Sequence, residues 1–306
     1  MLNLGLFGLL GLIWGSSFLL IKIGVRELDA ISLVAGRMFI AAMAFSILLI
    51  ATRQVLARKP SDLLKLAVVG VLNSALPFVL ISWSEKSLDS GLTGVLNATT
   101  PLFSLVLAHF ALADDRITTN KLVGLIIGFF GVIVLASRQI DGAHENPLLA
   151  QLAVLGAGLC YALGAVFVRR YLRGSAPLVV AGGANIFGTI AIVTVALIMV
   201  NPLPNPAALS GDVILSVLVL GVVNTFFAYL IFYHIIAVWG ASRATMVTYI
   251  VPPISLFIGV VFGNERLDLL LLLGAALIVS GVLFANRMQI QAAFATRRNA
   301  TQPAGD

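Results

Sequence analysis

Residues 70–101 return as residues 221–252 without a gap. At an offset of 151, Gly70-Val71 falls on Gly221-Val222, Asn73 on Asn224, Ser74 on Thr225, Phe78 on Tyr229 and Pro101 on Pro252. A recurrence of that length means one structural unit written twice, so any fold for this chain must accommodate two similar halves. The match extends outward. Asp115-Arg116 meets Glu265-Arg266, and Gly124 and Gly131 meet Gly274 and Gly281, at an offset of 150. Upstream, Gly11 meets Gly158 and Trp14 meets Tyr161 at 147, and Val34-Ala35-Gly36 meets Val180-Ala181-Gly182 at 146. The drift fits an insertion at the turn-rich Asn201-Pro202-Leu203-Pro204-Asn205-Pro206. The two copies are expected over residues 1–140 and 148–290, with 291–306 a flexible cytoplasmic tail.

With 60% hydrophobic and 10% charged residues, the chain departs from soluble domains, whose charged fraction is about 25%. It reads as an all-α integral membrane protein. Apolar runs long enough to cross a bilayer as helices lie at 3–24, 31–51, 64–83, 92–111, 121–138, 148–168, 178–200, 212–235, 242–262 and 268–286. The first reads as a retained helix and not a cleaved signal, since no Lys or Arg precedes it and no small-residue cleavage site stands out. Ten runs make five per copy, and an odd number forces the second copy to enter from the opposite side. The expected architecture is therefore ten transmembrane helices in a 5+5 inverted-topology repeat. Of the 19 basic residues, thirteen fall at one face and six at the other, which places both termini in the cytoplasm of a cell inner (plasma) membrane protein. The net charge of +6 is dispersed between apolar runs and forms no nucleic-acid-binding face. Cys160 sits inside an apolar run and reads as an inert buried thiol.

The pattern Trp14-Gly15-Ser16-Ser17, Ala35-Gly36-Arg37, Thr100-Pro101-Leu102-Phe103 and Asp115-Arg116-Ile117, followed by Val251-Pro252-Pro253 and Gly263-Asn264-Glu265-Arg266-Leu267, resembles the EamA-type group of the drug/metabolite transporter superfamily. The resemblance spans residues 5–288. It implies ten helices, a central cavity lined mainly by helices 1, 3, 4, 6, 8 and 9, and export of small metabolites, without naming one. Asp115 departs from the Glu more common at that position.

Proline inside a helix leaves the carbonyl four residues earlier without its partner. Here those carbonyls belong to Asn73 for Pro77, Asn97 for Pro101 and Thr248 for Pro252. Unpaired backbone at membrane depth faces protein or a watery cavity. These positions, with Thr100, Asn224 and Thr225, are candidates for the polar part of a substrate site, the competing reading being interhelical glue. Trp14 with the neighbouring Ser17, Tyr161, Phe78, Tyr229 and Tyr249 are candidates for its walls, set against simple packing. Trp83, Tyr233 and Trp239 read as interfacial belt residues. Every Asp and Glu sits at or beyond a helix end, and Arg37 reads as an outer-face cation paired with Glu27 or Asp29, or snorkelling. With no cation at the centre, a neutral or zwitterionic solute is expected over a phosphorylated one. His109 and His234 lie near helix ends, so facilitated diffusion, exchange and proton antiport all stay open. The Gly-rich fifth and tenth helices are expected to pack within their own repeats, with a dimer contact as the second choice.

No phosphate-binding Gly-x4-Gly-Lys-Ser/Thr loop, zinc pattern or cofactor motif is present, and no catalytic residues are expected. The chain reads as a non-enzymatic transporter exporting small neutral or zwitterionic metabolites, foremost amino acids, by alternating access, as a monomer or a homodimer. The alternatives are a carrier of nucleotide-sugars or other metabolites, or a non-transporting membrane scaffold.

Overall fold

Hydrocarbon offers no water to backbone N–H and C=O groups, so long apolar runs satisfy them internally as helices. The computed structural model describes residues 2–56, 59–111, 117–137, 148–239 and 244–287, and every regular element among them is helical. Eight of these helices are long and apolar enough to cross a membrane. They are α1 (Leu2–Gly24), α2 (Ala30–Ala51), α3 (Pro60–Ser84), α4 (Ser90–Ala111), α5 (Thr119–Ser137), α6 (Leu148–Tyr171), α7 (Pro177–Met199) and α8 (Gly211–Trp239). Two shorter apolar helices follow, α9 (Val251–Gly263) and α10 (Leu269–Ala285). The basic residues Arg58, Arg116, Arg138, Arg243, Arg297 and Arg298, the acidic Asp115 and the tail expected over 291–306 lie outside the described residues.

The helix starts follow local chemistry. Asp29 accepts hydrogen bonds from Ile31 N at 2.9 Å and Ser32 N at 3.0 Å, capping α2, and Asp268 accepts from Leu271 N at 2.7 Å, capping α10. Pro60 and Pro177 open α3 and α7, where a missing N–H removes nothing.

The apolar run at 242–262 is not one helix. A 3₁₀ turn, Thr245–Tyr249, precedes α9, whose second residue is Pro252. Proline cannot extend an existing α-helix without losing a bond and clashing with the preceding turn, so the helix begins afresh. α4 is interrupted in the same way, as Ser90–Asn97 and Thr100–Ala111, with Pro101 second in the new segment. α3 and α8 instead stay continuous through π-helical turns, Val71–Ala75 and Val222–Phe227. Pro77 follows the first, but Ala228 follows the second, so proline is not their common cause.

Helix faces are sorted for a lipid environment. On α2, Leu33, Val34, Met38, Ala41 and Phe45 are buried, while Phe39, Met43, Ile47 and Ile50 are exposed. In a bilayer the apolar outer stripe is the solvated one. α5 and α10 lie against one another, and glycine makes the contact close. A Cβ built on Gly124 would stand 2.5 Å from Gly281 O, and one on Gly131 would stand 2.8 Å from Gly274 O. The expectation that these glycines pack within their own repeat is corrected: the contact joins the first half of the chain to the second, because only facing small residues let two backbones approach so far. Elsewhere α2 packs on α7 and α8, α3 on α6 and α7, α4 on α6 and α9, and α1 on α8 and α9.

Candidate substrate site

The buried face of α2 carries one residue that an apolar stripe should not hold. Arg37 is 4% exposed, one turn from Leu33 and Ala41. Its Nε donates to Thr225 Oγ1 on α8 at 2.9 Å, and its guanidinium carbon lies 3.9 Å from the ring centroid of Phe78 on α3. Tyr161 on α6 packs with Phe78 against Val34 and Met38 of α2. Tyr229 on α8 lies against α2 as well, its ring centroid 6.4 Å from that of Phe45. Four helices thus converge on one buried cation.

This corrects the outer-face reading of Arg37. Asp29 is occupied in capping α2, and Glu27 accepts from Ser210 N at 2.9 Å. Among the described residues, the ion pairs are Lys22–Asp89, Arg26–Asp212 and Lys65–Asp62, none of which includes Arg37. The signal was in the sequence: Arg37 falls on the helical face of Leu33, Val34 and Ala41. The absence of a central cation, on which the preference for a neutral solute rested, is corrected with it.

The other candidates divide into three groups. Phe78, Tyr161, Thr225 and Tyr229 meet at Arg37. Trp14 borders the group, sharing an apolar cluster with Tyr161 and lying 5.3 Å from the Phe232 ring. Asn224 is turned to α1 instead: its Nδ2 donates to Ile13 O and, at 2.9 Å, to Ser17 Oγ. Asn73 is turned likewise to α6, its Oδ1 lying 1.9 Å from where a Cβ on Gly164 would stand. Pro77 is buried beside it in α3. Asn97, Thr100, Thr248 and Tyr249 are not brought to Arg37 by any contact described. The Asn97 carbonyl freed by Pro101 accepts from Thr100 Oγ1 at 2.8 Å, and Thr248 Oγ1 donates to Thr245 O at 2.8 Å. Tyr249 packs against a cluster of Leu102, Leu105, Leu125 and Val282. The Asn73 and Asn97 Oδ1 atoms are buried without a hydrogen-bond partner.

Asn224 therefore ties α8 to α1, whereas Asn73 meets α6 by contact with Gly164, its Oδ1 left unpaired. Asn224→Ala is expected to lower stability by about 0.6–1.7 kcal/mol, the range for interhelical polar contacts in membranes. Asn73→Ala should cost less. Thermal unfolding in detergent beside a transport assay separates the two roles, since glue alone leaves the transport of folded protein unchanged.

Tyr233 is half-buried and contacts its own helix's aromatic row. Its ring stacks on Tyr229 at 6.2 Å, in an aromatic series with Phe45 and Phe226. His109 Nδ1 accepts from Ile117 N at 3.1 Å, and His234 Nε2 lies 3.2 Å from Asn3 Oδ1.

A second polar cluster gathers where α1 ends and α4 begins. Glu265, beyond α9, accepts from Ser90 N at 2.6 Å, Ser90 Oγ at 2.6 Å and Gly91 N at 2.9 Å. Lys22 Nζ donates to Leu88 O and lies 3.9 Å from Asp89. Glu85, just past α3, is fully buried, which its place at a helix end did not disclose. Both its carboxylate oxygens are buried without a hydrogen-bond partner, and Lys22, Glu265 and Asp89 are its charged neighbours. Burial holds its carboxyl well above the usual carboxylate range, with Lys22 opposing and Glu265 and Asp89 assisting. The folded state then binds a proton more tightly than the unfolded one. Stability is highest below the ordinary value of 4.5 and falls as pH rises from there toward the folded value. Glu85→Gln is expected to flatten this slope and to raise the melting midpoint at neutral pH, read from thermal unfolding across a pH series.

The EamA-like transporter family model matches residues 3–137 and again residues 148–287. The chain belongs to the EamA-like transporter family. This EamA transporter is a multi-pass membrane protein. It is similar to the uncharacterized transporter YoaV of Bacillus subtilis, 25% identical over 271 residues that cover 89% of this chain and 92% of the relative. It is also similar to a protein of Streptantibioticus cattleyicolor named "Probable terminal-alkyne amino-acid exporter", 27% identical over 293 residues that cover 95% of this chain and 94% of the relative. The uncharacterized inner membrane transporter YedA of Escherichia coli K12 is 28% identical over 283 residues, covering 89% and 86%. A solved crystal structure matches with a TM-score of 0.66 at 20% identity, covering 94% of this chain and 97% of the other, which establishes likeness of fold.

Proposed function

We propose that this EamA transporter exports small metabolites of the amino-acid class by alternating access between two inverted five-helix halves, with both termini in the cytoplasm. The observation that carries the reading is the meeting of Arg37 and Phe78 with Tyr161, Thr225 and Tyr229, side chains from both halves around one point. A site shared between halves changes its exposure when one half rocks against the other. Equivalent positions support the inverted repeat: the π turns begin at Val71 and Val222, and the interrupted helices resume at Thr100 and Val251. The amino-acid class is supported by the name of the Streptantibioticus relative and by a cation among hydroxyls and rings. One Arg is a weak match for the several charges of a sugar phosphate.

Uptake into liposomes holding the purified protein tests this, with radiolabelled amino acids, a phosphorylated sugar and a nucleotide-sugar, with and without a pH gradient. Amino-acid flux above that of protein-free liposomes is the expected result, and its response to the gradient defines coupling. Flux of the phosphorylated solutes alone would overturn the reading.

A further inference from the structure

We propose that Arg37 binds the carboxylate of the transported solute, so that this transporter selects for a carboxylate group before it selects for a side chain. The inference rests on the proposal that the convergence point is the solute's route, and it adds the chemistry of recognition there.

Arg37 is the eighth residue of α2, roughly 10 Å along the helix at its rise of about 1.5 Å per residue. A long cationic side chain so near a helix end has an inexpensive alternative, which is to reach back to the interface with its head group in water. Here it does not. It is 4% exposed, and no carboxylate within the described residues forms an ion pair with it. Burying a cation is unfavourable unless it is paired, and one hydroxyl does not replace a counter-ion. A membrane chain that holds such a group is holding it for use.

The geometry says for what. Guanidinium has five N–H donors in one plane. Nε is engaged by Thr225 Oγ1, and the guanidinium carbon lies 3.9 Å over the centroid of the Phe78 ring. A cation–π contact consumes neither of the two terminal nitrogens, and it is their edge which matches the two oxygens of a carboxylate. Tyr161 packs with Phe78 in the cluster on this face of α2, and Tyr229 lies against Phe45 about two turns beyond Arg37, so both bring phenol groups to the same region. Phenol O–H groups are donors able to join Arg37 on a carboxylate oxygen. Phe78 and Arg37 come from one half, Tyr161, Thr225 and Tyr229 from the other. A bound carboxylate would therefore contact both halves at once and favour their closure.

The test starts with the unmodified protein, so that no variant has to fold. In counterflow with reconstituted transporter, radiolabelled leucine, phenylalanine, threonine and glutamine are each competed with the unlabelled amino acid, its carboxamide and its N-acetyl derivative, with radiolabelled lactate and succinate as a further arm. The carboxamide is expected to compete about tenfold or more weakly than the parent, the pattern of a site built to hydrogen-bond a group the analogue lacks. The N-acetyl derivative, which keeps its carboxylate, should compete better than the carboxamide. Arg37→Gln, confirmed as monodisperse, should erase the preference for acid over amide, and Arg37→Lys should retain part of it. Equal competition by acid and amide would overturn this proposal while leaving amino-acid transport in place. Arg37-dependent transport of lactate or succinate with no amino-acid flux would overturn the amino-acid reading and support the carboxylate site. Flux of neither class would overturn both.

Discussion

Gly281→Ala is expected to force α5 and α10 apart and to lower stability more than any other single-methyl addition in the two helices. A Cβ there would stand 2.4 Å from Gly128 N and 2.6 Å from Gly124 O. Both obstacles are backbone, so no rotamer relieves them and one helix must shift. Overpacking of this kind costs about 1–3 kcal/mol or more. Against it stands the helix preference of Ala over Gly, up to about 1 kcal/mol. The first effect wins because α5 and α10 have only packing, and no water-driven hydrophobic term, to hold them together in lipid. The control is Gly8→Ala, where nothing lies within 4 Å of the added carbon. Thermal unfolding of the purified proteins in detergent should show a lower midpoint for Gly281→Ala and an unchanged or higher one for Gly8→Ala. Equal midpoints would mean the two helices are not in contact.

Glu265→Ala carries the second large effect. The Glu265 carboxylate takes both the N–H and the hydroxyl of Ser90 and the N–H of Gly91, at 2.6, 2.6 and 2.9 Å. Those N–H groups open α4 and have no partner inside the helix, and the helix dipole adds attraction for a negative charge. A hydrogen bond to a charged group is worth about 1.5–3 kcal/mol. Removing the carboxylate leaves Ser90 and Gly91 buried with unpaired donors. The variant is expected to lose stability in that range and, on the proposed alternating access, to change the balance between conformations that close and open this end. Glu265→Gln, which keeps one acceptor but not the charge, should lie between wild type and Ala. Thermal unfolding ranks the three proteins, and accessibility of a cysteine placed at exposed Lys86 to a membrane-impermeant thiol reagent reads the opening. The same ranking in both measurements is expected. Wild-type behaviour of Glu265→Ala in both would remove this contact from any role.

Much of the helical architecture was legible because a bilayer makes one demand that composition answers directly. Runs of apolar residues of sufficient length have little choice but to be helices, and eight of the ten lie in helices long enough to cross a membrane. The broken runs were less legible. Pro101 and Pro252 announced a disturbance, but whether a helix bends, restarts or widens depends on neighbours that sequence does not name. The π turn at Val222 has no proline to signal it at all. In the candidate site, Phe78, Thr225, Tyr161 and Tyr229 were found as polar or aromatic residues at membrane depth, and the structure gathers them around Arg37. Arg37 itself was misplaced by reasoning along one helix: distance to the nearest acidic residue in sequence suggested Asp29 or Glu27, while its partner lies 188 residues away. Glu85 was missed for the same reason. A residue at a helix end looks solvated until the ends of other helices are known to cover it.

The π turn in α8 has one more consequence. In an unbroken α-helix, residues seven apart return almost to the same azimuth. Gly221 and Ala228 are seven apart, yet Gly221 abuts the Arg37 carbonyl of α2, while Ala228 packs with Leu10 and Ile13 of α1. The wider turn between them resets the phase of the helix, letting one continuous segment address two different neighbours across the thickness of the membrane. Tightening 222–227 to ordinary α geometry with no residue lost would swing everything beyond it, Tyr229 and Tyr233 included, by about 100°. The width of that turn therefore decides which neighbours Tyr229 and Tyr233 meet, as surely as any side chain in the site.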